Sequence, residues 1–139
     1  MSKKSAHISA RIASLRGQVH DAHYLGYFDC FNRQLFYEAH DVLEELWLTD
    51  RHGRDGDFYK GLIQLAGAFV HIQKNRRGPA IALFNLARAN LGRYPPCHHG
   101  LQLSAVNDLI ADWSARLESQ SEPRAVLLAG APSRLELIG

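Results

Sequence analysis

Four stretches of this chain repeat apolar residues at three- and four-residue intervals, and that period commits most of it to α-helix. Phe36, Ala39, Leu43, Leu46 and Trp47 form one stripe, and Phe58, Leu62, Leu65, Phe69 and Ile72 form the next. Ile81, Leu83, Phe84, Leu86, Ala87 and Leu91 make a third, then Val106, Leu109, Ile110, Trp113 and Leu117 a fourth. A shorter stripe of Ile8, Ile12, Leu15 and Val19 lies near the start. No segment shows the two-residue alternation of a half-buried strand.

The breaks between stripes are equally legible. Residues 49–57 hold two glycines and five charges, the composition of an exposed loop. Asn32 is placed to cap the helix running to Leu48, and Asp57 the helix from Phe58 to about Lys74. Asn75-Arg76-Arg77-Gly78 closes that helix, Pro79 suits the first turn of the next, and Gly92-Arg93-Tyr94-Pro95-Pro96 stops it. His20 to Asp29 is aromatic and polar without a clear period and reads as a connection. Ala125 to Ala129 reads as a short helical or extended flap, and residues 124–139 as a loosely packed end. The expectation is one all-α domain over 1–139, a multihelical bundle of about five helices with short connections.

A chain of 139 residues and 15.6 kDa suits one domain, and 46% hydrophobic against 22% charged residues argues against disorder. A net charge of +2 is too small to announce a polyanion, so no nucleic-acid partner is expected. The longest apolar runs, such as Leu65 to Ile72, are too short to span a bilayer, so none is expected with a membrane either. The candidate partner is a second copy of the chain, as a homo-oligomer. Cys30 and Cys97 form no Cys-x-x-Cys pair, and no apolar block of secretory length follows the basic opening. The expected setting is cytoplasmic.

Chemistry concentrates at two helix flanks. Taking Phe36 as zero at 100° per residue, His40 falls at about +40° and Glu44 at about +80°, beside the apolar stripe and Trp47. Glu38, Asp41 and Glu45 point further toward solvent. Taking Phe58 as zero, Gln64 lies at about −120° and His71 at about −140°, two turns apart on one flank near the small Gly61 and Ala68. In an antiparallel hairpin His40, Glu44, Gln64 and His71 can meet. His40, Glu44 and His71 are then a three-ligand set for a divalent metal such as zinc, with an open position for water. Without metal, Glu44 can orient His40 as a general base while Gln64 holds a substrate oxygen. The structural alternative is that the polar groups satisfy one another and fix the register of the hairpin. That alternative leads: a structural or interaction module, with a metal-assisted or acid–base hydrolase as the second possibility.

Other clusters are weaker. His20 and His23 flank Asp21 in the irregular aromatic stretch. Cys97-His98-His99 offers three adjacent ligands that cannot easily close around one ion. Lys74, Arg76 and Arg77 make a basic knot at a helix end, where cations suit the dipole. The chain has no His-Glu-x-x-His motif and no Gly-x-Ser-x-Gly elbow.

Phe31-Asn32, the run Tyr37-Glu38-Ala39-His40-Asp41-Val42-Leu43-Glu44-Glu45-Leu46-Trp47, the run Phe58-Tyr59-Lys60-Gly61-Leu62-Ile63-Gln64-Leu65-Ala66, His71, and Gly78-Pro79-Ala80 carry a resemblance. Together, over about residues 31–91, they resemble the bacterial and archaeal family catalogued as domain of unknown function 309. That family's pattern has Gly where this chain has Gln34, and Glu where it has Asp41. The resemblance implies a small multihelical fold and no assigned activity. It also implies that Glu38, His40, Glu44, Trp47, Gly61, Gln64 and His71 occupy the family's motif positions, which adds Glu38, Trp47 and Gln64 as binding candidates.

Overall fold

The computed structural model describes residues 20–119 and 122–138. Their elements run α1 (Ala22–Asn32), α2 (Phe36–Asp50), α3 (Gly56–Gln73), α4 (Arg77–Leu91), β1 (Cys97–His98), β2 (Leu101–Gln102), α5 (Leu103–Ser119) and α6 (Pro123–Ala129). The stripe at 8–19 lies outside the described residues. No helix among those described is long and apolar enough to cross a membrane.

Helix α1 replaces the connection expected over His20 to Asp29. Tyr24, Tyr27, Phe28 and Phe31 are spaced three, one and three apart, which puts four aromatic rings on one helical face, and all four are buried. Asp21 caps the helix, its carboxylate accepting from the His23 amide at 2.7 Å. The period is present, but Gly26 and the interleaved polar residues blur it. What settles the helix is burial of the rings: Phe31 lies 5.2 Å from Phe36 and 5.6 Å from Phe69, edge to face with both.

The helix ends also differ from expectation. Asn32 is the last residue of α1 rather than the cap of α2, which starts at Phe36 behind Leu35 with no side-chain cap. Between them the chain closes in a Schellman turn: the Gln34 amide donates to the Phe31 carbonyl, and the Leu35 amide to Cys30, each at 2.9 Å. Helix α3 closes the same way, through Asn75 to Ile72 at 2.9 Å and Arg76 to His71 at 2.8 Å. Asp57 is not the cap of α3; that position is Asp55, two residues earlier. Helix α4 starts at Arg77, so Pro79 is its third residue, still within the turn whose amides need no partner in the helix.

Helix α3 is the centre of the bundle, packed by α2, α4 and α6, with ten of its eighteen residues buried. It approaches α4 closely because Gly61 has no side chain. A Cβ there would stand 2.8 Å from Leu91 Cγ and 3.3 Å from the Ala87 carbonyl. Phe69 joins the layers, 4.8 Å from Phe36 on α2, 5.4 Å from Phe84 on α4 and 5.1 Å from Trp113 on α5.

The C-terminal segment is tied down rather than loose. Pro123, Val126 and Leu127 are buried on α6, and Leu135 is 3% exposed. The Asn32 side chain grips the Leu135 backbone twice, donating to its carbonyl at 2.9 Å and accepting from its amide at 2.8 Å. A short hairpin, β1 with β2, adds the one pair of strands among the described residues.

Candidate functional site

His40 sits in the second turn of α2 and His71 in the last turn of α3, and antiparallel packing brings both to one pocket of about 230 Å³. Tyr37, Gln64 and Lys74 add polar groups to its wall, while Ile63, Val70 and Leu83 supply apolar surface. Gly67 leaves room between them; a Cβ there would come within 3.2 Å of Leu83.

The two imidazoles differ in surroundings. Nδ1 of His40 lies 3.2 Å from Asp41 Oδ1 and its Nε2 3.7 Å from Glu44 Oε2, so carboxylates flank it from its own helix. Among the described residues, His71 has no such neighbour. Its Nδ1 is sealed from solvent without a hydrogen-bond partner. Desolvation, and then the positive charges of Arg76 and Lys74, push its pKa below the ordinary histidine value. His71 is therefore neutral at pH 7. With Nδ1 unable to give its proton to an acceptor, the Nε2–H tautomer leaves the cheaper orphan inside and turns a donor outward.

The remaining candidates take other positions. The Gln64 Oε1 accepts from Asn90 Nδ2 at 2.8 Å, so this side chain ties α3 to α4 as well as lining the pocket. Glu44 reaches His40 but does not line the pocket. Trp47 is half-buried against the core, and Glu38 is half-buried on α2. Tyr37, which the apolar period leaves out, stacks near His40 with ring centroids 6.3 Å apart and is 58% exposed.

Among the described residues, three metal-ligating side chains with ligand atoms within 4.8 Å of one another occur at Asp55, His98 and His99. His40, Glu44 and His71 are not gathered that tightly. His23, paired above with His20, instead bridges helices: its Nε2 is 3.0 Å from Glu45 and its Nδ1 3.2 Å from Asp21. The sequence signal at Cys97-His98-His99 was visible, but its partner Asp55 lies more than forty positions away in a loop.

Residues 24–85 match the model of the family described as Domain of unknown function (DUF309). Comparison with curated proteins and with solved structures gives no match.

Proposed function

Residues 24–85 are a DUF309 domain, and from the groove that domain builds we propose a small helical binding module that takes a compact ligand with an apolar body and a hydrogen-bonding or anionic head. The observation that carries this is His71: a neutral imidazole with a sealed, unpartnered Nδ1, standing in an open pocket beside the Lys74 cation. Ile63, Val70 and Leu83 suit the apolar body. An apolar cavity of about 150 Å³ accommodates benzene, so this pocket suits a single ring or short branched chain with one head group. The setting we propose is cytoplasmic, since two cysteines 67 positions apart are not the dense cysteine framework of a small secreted domain.

Titration of the full-length protein with small aromatic and branched carboxylates, followed by amide NMR, tests this. Shifts centred on Gln64, Gly67 and His71, weakened by His71→Ala and by Lys74→Gln, are expected. Shifts absent throughout, or scattered away from α2 and α3, reject the pocket as a binding site.

An acid–base hydrolase using His40, Glu44 and His71 draws support from one observation, the Glu44 carboxylate 3.7 Å from His40 Nε2, placed to orient that imidazole as the base while His71 donates to a substrate oxygen. Ester turnover lost in both His40→Ala and His71→Ala would favour it over simple binding.

A further inference from the structure

Asp55 occupies the N-cap of α3, where an aspartate ordinarily accepts from the backbone of the first turn, yet its carboxylate makes no capping bond. Tyr94 performs that duty instead: its hydroxyl accepts from the Phe58 amide and donates to the Arg54 carbonyl, both at 2.9 Å. The Asp55 carboxylate is released toward the β1–β2 hairpin. Its Oδ1 accepts from His98 Nε2 and its Oδ2 from His99 Nε2, each at 2.8 Å.

Two consecutive side chains of a strand point to opposite faces, so adjacent histidines do not normally share a carboxylate. Here the hairpin turn solves the problem. His99 and Gly100 are its two central residues, with φ of +48° and +76°, the pair of positive values that a type I′ turn demands and that favour Asn-Gly. The left-handed backbone at His99 swings its ring back beside His98, with centroids 4.2 Å apart. Tyr24 holds the turn by donating to the His99 carbonyl at 3.0 Å, and the Ile138 amide donates to the Gly100 carbonyl at 2.8 Å. Phe58 and Tyr94 wall the His98 ring at 4.8 and 4.9 Å. Asp55 and His98 are each 16% exposed and His99 38%, so the cluster is sheltered on one side and open on the other.

We propose that Asp55, His98 and His99 bind a divalent transition-metal ion of the zinc class, through one carboxylate oxygen and two Nε2 atoms, with the fourth position open to solvent. The ion takes the place of the two Nε2 protons facing the carboxylate; each ligating imidazole is neutral with its proton on Nδ1, and any further proton is released to solvent. Ligands about 2.0–2.1 Å from a tetrahedral ion stand about 3.3 Å apart, so the contact of the coordinating oxygen with its own imidazole opens by about half an ångström, while the three ligand atoms, now within 4.8 Å of one another, close onto the ion. One carboxylate with two imidazoles and a vacant fourth position is the donor set of water-activating zinc sites. The aromatic shell fixes ring orientation, as supporting groups do around metal ligands. The site is independent of the α2–α3 pocket.

The test is a titration of the full-length, untagged, chelator-treated protein with Zn²⁺ by calorimetry, and with Co²⁺ by visible absorption. One equivalent per chain is expected, with the intense d–d bands of tetrahedral cobalt. His99→Asn removes a ligand while keeping a residue suited to the left-handed turn, so its circular dichroism and melting should match the parent. Both it and Asp55→Asn should weaken zinc by about 100-fold or more, beyond the loss of an outer-shell partner. His71→Ala should leave binding intact. Unchanged affinity in Asp55→Asn means adventitious binding by the Cys97–His99 run and overturns the proposal. So does loss of the ion in His71→Ala, or millimolar affinity in the parent protein.

Discussion

The His71 side chain holds its proton less tightly than a free imidazole because burial and two neighbouring cations both oppose the charged form. A folded-state value below the unfolded one means the unfolded chain binds protons first on acidification. Stability then falls as pH drops through the ordinary histidine range near 6.5 and levels off below the folded value. NMR titration of the ring should give a midpoint below about 6.5 that rises in Lys74→Gln. A midpoint at or above the ordinary value would sink both this and the neutral pocket imidazole.

Gln34 is a second residue whose environment overrides its chemistry. It holds φ at +63° in the turn that ends α1, the position where Gly is favoured. Gln34→Gly should stabilise the protein by about 0.5–1 kcal/mol, the relief of left-handed strain less the entropy glycine loses. Denaturant unfolding with an unchanged slope checks it. Asn75 holds φ of +59° at the equivalent point of α3, and its side chain also accepts from the Arg124 amide at 3.1 Å.

Among elements, the contact of α3 with α4 depends on the missing side chain at Gly61. Gly61→Ala adds a methyl against the buried Leu91, an overpacking cost of about 1–3 kcal/mol against about 1 kcal/mol of helix propensity gained. A lower melting temperature is expected. Gly78→Ala, in the first turn of α4 with nothing within 4 Å, should raise stability by about 0.4–1 kcal/mol. If the two variants shift melting in the same direction, close helix approach is not what Gly61 provides. Helices α2, α3, α4 and α5 were legible because their stripes repeat over about three to four turns. Helix α1 was not, since its ring stripe runs for only two turns and is interrupted by Gly26 and interleaved polar residues. The β1–β2 hairpin was invisible for the opposite reason: two-residue strands carry no period at all.

For the whole molecule, the C-terminal segment acts as a clasp across the end of α1. Asn32→Ala removes both hydrogen bonds to Leu135 and should cost about 1–2 kcal/mol. Amide exchange at Leu135 and Ile138 should accelerate far more than at the α3 core, as local opening requires. Uniform acceleration would mean the clasp is part of the global fold rather than a local closure.

Helical period, breakers and the motif residues were all properties of neighbours along the chain, and local spacing alone therefore announced an all-α bundle and the flanks carrying His40 and His71. Which of those side chains meet was a different matter. A histidine paired with a carboxylate more than forty positions away, or an asparagine gripping a backbone from the far end of the chain, leaves no mark on local order. Such pairings are selected by the free energy of burying the core and satisfying its polar edges, which only the packed chain defines. Thus Asp55 with His98 and His99, Tyr94 at the end of α3, and the separation of Glu44 from the pocket wall belong to the tertiary structure alone.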